Sequence, residues 1–185
     1  MKRHGNLFEK FVSMDNLMLA YKNARKGKTW QKQVKIIDAD YKNKLKELQD
    51  MLINNKYEVA EYKTRKIYEP KERDIYILPF YPDRVVHHAL INILEPIYDK
   101  LFINESYSCR KGKGQHKASQ KCMQYVKRNK YVLQCDISKF YPSINHDILL
   151  KIVRQKIKDK KLLVVIERII RSFPGNKNVP IGNFT

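Results

Sequence analysis

A chain of 185 residues has room for one sizeable core or two small ones, and its 38 Lys and Arg against 19 Asp and Glu leave a formal charge of +19. Such an excess calls for a polyanion, which puts nucleic acid first among partners and a membrane surface second. The longest apolar run, Leu162 to Ile166, falls far short of the ~20 residues of a bilayer-crossing helix, and Met1-Lys2-Arg3-His4-Gly5 opens no apolar signal segment, so no membrane association and a cytoplasmic location are expected.

A first helix is predicted over Asn16 to Arg25, stopped by Gly27. From Trp30 to Ile53 apolar residues recur at Val34, Ile37, Tyr41, Leu45, Leu48 and Leu52, the spacing of one surface helix with a single buried stripe. Between Tyr57 and Pro79 the pattern turns to alternation and predicts a two-stranded hairpin, its tip at Pro70-Lys71-Glu72-Arg73-Asp74, where proline fixes a dihedral and the charges stay in water. Helical spacing returns after Pro82, with Asp83 as cap and Val86, Ala89, Leu90, Ile93 and Leu94 inward until Pro96. A further helix is expected over Lys117 to Arg128. Tyr131 to Ile137 reads as a short buried strand that delivers Asp136 near its end, followed by helices over Asp147 to Ile157 and Leu162 to Ser172. No linker, repeat or low-complexity tract interrupts this order.

Most local motifs have an ordinary explanation. Gly27-Lys28-Thr29 lacks the glycine a phosphate-binding loop needs five positions earlier, where Lys22 stands. His87-His88 sits mid-helix without an acid or cysteine at ligand spacing, so packing explains it. Cys109, Cys122 and Cys135 are odd in number and form no Cys-x-x-Cys pair, which points to reduced, structural thiols. Asp136-Ile-Ser-Lys-Phe140-Tyr141-Pro-Ser-Ile is more open. An acid leaving a strand before two aromatics suits a site for a divalent metal and a nucleotide, and equally suits a strand-end cap of the next helix.

Four blocks in order decide between these. Tyr131 to Leu149 resembles the first palm motif of bacterial reverse transcriptases, the superfamily of group II intron, retron and diversity-generating retroelement enzymes. Arg65 to Arg73 with Leu78-Pro-Phe-Tyr-Pro-Asp-Arg84-Val-Val is similar to their first fingers motif, and Ser106-Tyr107-Ser-Cys-Arg110-Lys-Gly-Lys-Gly114-Gln-His116 to the second. Val179-Pro180-Ile181-Gly182-Asn183 resembles the start of the fourth block. Arg110 to His116 and Pro180 to Asn183 are worded most like the diversity-generating branch. The later palm motif, an aromatic residue followed shortly by two aspartates, does not occur in these 185 residues.

The resemblance implies an α+β right-hand polymerase: a helical segment over 1–56, fingers over 57–130 and the first, incomplete part of a palm over 131–185, helix-rich with a fingers hairpin and a short palm strand. It implies RNA-directed DNA synthesis on an RNA template, from a DNA primer and deoxynucleoside triphosphates, with two Mg²⁺ ions in the complete enzyme and a fragment that is itself inactive. Asp136 and the carbonyl of Ile137 map onto metal ligands. Lys71 and Arg73 map onto the pair that closes on the triphosphate, unless they are merely a solvated turn. Arg110, Lys111, Gly112 and Lys113 map onto a template grip, unless the loop is simply solvated. Tyr141 maps onto the ring beneath the sugar that obstructs a 2′-hydroxyl, with a core aromatic as its alternative and Phe140 as the better core member. Gly182 would let backbone approach a base. A non-enzymatic basic RNA-binding module and an RNA-templated RNA polymerase are the rival readings, and self-association is left open.

Overall fold

The computed structural model describes residues 2–69 and 72–180. Its elements are helices α1 (Phe8–Val12), α2 (Met14–Arg25), α3 (Lys32–Ala39) and α4 (Tyr41–Ile53), strands β1 (Lys63–Ile67) and β2 (Arg73–Ile77), then α5 (Val85–Tyr98), α6 (Gln115–Val126), α7 (Phe140–Ser143), α8 (His146–Lys156) and α9 (Lys160–Ile170). The class is α+β, rich in helix, with one antiparallel hairpin among the described residues. Contacts divide the chain into two compact units, Met1–Ile93 with Lys139–Thr185, and Leu94–Ser138.

In the first unit α2 packs on α4, α1 on both α4 and α9, and α8 on α9. Phe11, Leu17, Ala24, Val34, Leu45, Leu48, Val85 and Val86 are fully buried there. The stripe predicted over Trp30 to Ile53 is present, but two helices carry it. Asp40 leaves helical geometry at φ −142°, ψ 36°, and its carboxylate accepts a hydrogen bond from Asn43 Nδ2 at 2.7 Å. The break turns α4 so that Leu45, Leu48 and Leu52 still face the core. Asp83 also departs from its expected role. It is buried and accepts from the Tyr57 hydroxyl at 2.8 Å and the Ala60 N–H at 3.4 Å, tying the chain before β1 to the approach of α5. Burial pushes both the Asp83 carboxyl and the Tyr57 phenol up. His87 is buried as packing predicted, and burial lowers its pKa to about 3, so the ring stays neutral. α5 runs through Pro96 to Tyr98, slightly beyond the expected stop.

Asp159 joins the two ends of this unit. Its Oδ2 accepts from the N–H groups of Leu7 at 2.7 Å and Phe8 at 2.9 Å, and its Oδ1 from Leu162 N–H at 3.2 Å, so one carboxylate serves the first turns of both α1 and α9. Main-chain bonds between His4 and Lys156 and Lys158 hold the N-terminus alongside. Burial raises the Asp159 carboxyl, but the surrounding backbone N–H groups outweigh it and leave the pKa below the usual carboxylate value. Asp159→Ala therefore costs about 2 kcal/mol, two caps at roughly 1 kcal/mol each, read as a lower urea midpoint. With a depressed folded pKa, this contribution is complete above the ordinary carboxylate pKa and is lost as pH falls through the folded value. The gap between wild type and variant closes in acid; an unchanged midpoint at neutral pH would contradict the double cap.

The strand expected over Tyr131 to Ile137 is not formed. Leu133 is 87% and Ile137 66% exposed, and Cys135 is exposed with them. A strand needs a neighbour for its N–H and C=O groups, and among the described residues β1 and β2 pair with each other alone. The three cysteines are free, as expected, but exposed rather than packed. Among the described residues no helix is long and apolar enough to cross a membrane.

Candidate nucleic-acid interface

The hairpin is held at its base and exposed along its length. Tyr76 and Phe173 rings lie 4.6 Å apart, Tyr62 and Phe173 5.8 Å, and the Tyr62 hydroxyl meets Ser172 Oγ at 2.6 Å, fixing the strands to the end of α9. In register, Ile67 faces Arg73 and Lys66 faces Asp74. Arg73 thus opens β2 as an exposed cation. Its expected companion Lys71 lies outside the described residues, as does Gly182.

In the same unit, Lys139 takes left-handed geometry at φ 50° and starts α7. The Phe140 and Tyr141 rings meet edge to face at 5.4 Å. Phe140 is 50% exposed and Tyr141 36%, so the expectation that Phe140 belongs to the core fails. A one-turn helix containing Pro142 has too little length to bury two consecutive rings. The Tyr141 carbonyl accepts from Val179 N–H at 3.2 Å and the Ile144 carbonyl from Asn178 N–H at 3.1 Å. His146 adds Nε2 to the Asn178 carbonyl at 2.9 Å. The start of the fourth block is thereby laid against the second half of the Asp136 motif, although the two are almost forty positions apart.

The second unit holds Arg110, Lys111, Gly112, Lys113, Asp136 and Ile137. Arg110 turns inward: Nε donates to Asp99 Oδ1 at 2.6 Å, one terminal nitrogen to the carbonyls of Ile103 and Ser106, and the other to the Asp99 carbonyl. That hydrogen bond holds the Asp99 carboxyl below its usual range. Arg110 is the clamp that shapes the loop, and Lys111 is its outward cation. Lys113 Nζ reaches the carbonyl and side chain of Asn104, both at 2.8 Å, and Lys117 Nζ the Gly112 carbonyl at 2.7 Å. Gly112, at φ 71°, takes a backbone that side chains rarely adopt, while a Cβ there would meet open space, so conformation rather than crowding demands glycine. Asp136 is exposed and has no hydrogen-bond or ion-pair partner among the described residues, nor do three His, Cys, Asp or Glu side chains cluster anywhere among them. A lone, unspent carboxylate fits as one ligand of a hard dication, not as a complete site for two.

The sequence model of the family described as reverse transcriptase (RNA-dependent DNA polymerase) matches residues 71–183, well over half of the chain. The chain belongs to the reverse transcriptase family. Among similar proteins, nuclear intron maturase 1, mitochondrial, of Arabidopsis thaliana is 26% identical over 113 residues, 61% of this chain and 15% of that protein. Protein YkfC of Escherichia coli strain K12 is 27% identical over 134 residues, 68% of this chain and 34% of its own length. The group II intron-encoded protein LtrA of Lactococcus lactis subsp. cremoris is 25% identical over 95 residues, 51% of this chain and 16% of its own. The chain therefore spans about a third of one of these relatives and about a sixth of the others.

Proposed function

We propose that these residues form the fingers and the first part of the palm of an RNA-directed DNA polymerase, divided at 56 and 130 and acting in the cytoplasm. The family match over 71–183 carries this reading. Arg73 with Lys71 receives the triphosphate: a fixed guanidinium fork and a mobile ammonium both suit phosphate oxygens. Lys111 and Lys113 contact the template backbone on a loop that Arg110 holds in shape, and Gly182 leaves backbone free to approach a base. Asp136, with the Ile137 carbonyl, contributes its share of the ligands for Mg²⁺, which in this chemistry lowers the pKa of a primer hydroxyl and neutralises the leaving pyrophosphate. With one such carboxylate, the 185 residues alone bind primer and template without extending. Arg110 to His116 is the stretch that leans toward the diversity-generating branch.

A non-catalytic RNA-binding role is the second reading, favoured by the absence of an acidic cluster among the described residues. Tyr141 separates the two. Its accessible ring suits a gate beneath the sugar, so Tyr141→Ala in the protein at its full encoded length raises ribonucleotide use relative to deoxyribonucleotide use by roughly tenfold or more, the scale of removing one steric obstruction. Competition between the two nucleotide types in primer extension measures it. An unchanged ratio in a folded, active variant would place selection elsewhere, and wild type without any extension would favour the binding-only reading.

A further inference from the structure

We infer that His146 is a positioning residue for Tyr141: it holds residues 176–179 against the turn that carries this ring, and that hold keeps the ring where it excludes a 2′-hydroxyl. The inference rests on the reading of Tyr141 as the sugar gate and adds what keeps the gate in place.

α7 cannot fix Tyr141 by itself. It spans one turn, Phe140–Ser143, and a helix that short is not stable alone. Residues 176–179 supply the support. Val179 N–H donates to the Tyr141 carbonyl at 3.2 Å, Asn178 N–H to that of Ile144 at 3.1 Å, and His146 N–H to that of Asn176 at 3.0 Å, while Asn145 and Lys177 form an antiparallel bridge. Main-chain bonds of this kind are open to any sequence. The His146 side chain adds a tie that is not: its Nε2 lies 2.9 Å from the Asn178 carbonyl.

The chemistry of the ring argues for this task. A carbonyl only accepts, so Nε2 carries the hydrogen and donates it. The other ring nitrogen, Nδ1, has no hydrogen-bond partner among the described residues although the residue is fully buried. A leucine would fill much of the same space without the cost of that unpaired polar atom. Packing therefore gives no account of an imidazole here, and the bond to Asn178 does. Asn178 is the second unusual choice, since its backbone lies at φ 84°, a region that Asn and Gly tolerate and β-branched residues do not. In that geometry its N–H reaches Ile144 and its carbonyl reaches His146, so one residue joins the end of the Tyr141 turn to α8.

The test is competition between ribonucleotides and deoxyribonucleotides in primer extension by the protein at its full encoded length, with unfolding followed in urea. Ribonucleotides enter past a displaced ring, so their use rises with the population of that state. Losing one net hydrogen bond enlarges it about fivefold. His146→Leu therefore raises ribonucleotide use relative to deoxyribonucleotide use about fivefold, and adds nothing once Tyr141→Ala has removed the ring. His146→Gln, which returns an N–H donor near the same place, restores the wild-type ratio. Asn178→Val raises the ratio as well and Asn178→Gly leaves it unchanged, a pair that reads the same tie should His146→Leu not fold. A purely structural role lowers the use of both nucleotide types alike. An unchanged ratio in folded His146→Leu and Asn178→Val, or a rise that persists beside Tyr141→Ala, would overturn the inference while the gate stands. An unchanged ratio in Tyr141→Ala, or wild type without extension, would overturn the gate reading and this inference with it.

Discussion

Asp136→Asn abolishes primer extension by the protein at its full encoded length and leaves its fold untouched. The amide preserves the shape of the side chain and removes the negative charge that a hard dication needs from it. Charge stabilisation of this kind contributes several kcal/mol to the transition state, and at about 1.4 kcal/mol per tenfold in rate the loss is on the order of a thousandfold. Stability is unaffected for a separate reason. Asp136 is exposed and has no partner among the described residues, so its replacement leaves nothing buried and unpaired. Extension assayed beside urea denaturation reads both at once. A variant that extends at more than a small fraction of the wild-type rate would remove Asp136 from the metal site, and a lowered unfolding midpoint would show that the residue has a structural role.

What the sequence disclosed was what neighbours along the chain decide. α8 and α9 follow from their apolar spacing, and Asn145 and Asp159 cap them through bonds that reach only two or three residues ahead. The hairpin follows from alternation about a proline-containing turn. The break at Asp40 escaped notice because Val34 and Leu45 lie on the core side of both helices, so the stripe passes through the interruption unchanged. Tyr131 to Ile137 misled because apolar composition states a preference for pairing, whereas a strand exists only where another strand lies beside it. The second task of Asp159, receiving Leu7 and Phe8 from about 150 positions away, leaves no trace in local pattern. Of the candidate site, the order of the blocks was legible, whereas the exposure of Arg73, Lys111 and Tyr141 is a property of the fold that their motifs alone left open. The inward turn of Arg110 was not legible either, since composition registers a guanidinium without revealing that Asp99 and two loop carbonyls already hold it.

A salt titration of RNA binding by the 185-residue chain reports whether its positive charge is placed to hold a nucleic-acid backbone. Each single-strand phosphate neutralised contributes a slope of about −0.7 in log K against log salt. Arg73, Lys111, Lys113 and the lysines of α6 make five contacts a modest expectation, with Arg110 left out because Asp99 already pairs with it. Five contacts correspond to roughly a hundredfold loss of affinity between 50 and 200 mM salt. Replacing both Lys111 and Arg73 by Gln then lowers the slope by about two contacts and weakens binding to all RNA sequences alike. A log–log line of slope near −3.5 is expected; binding that is insensitive to salt, or absent at 50 mM, would show that these cations do not hold a nucleic-acid backbone.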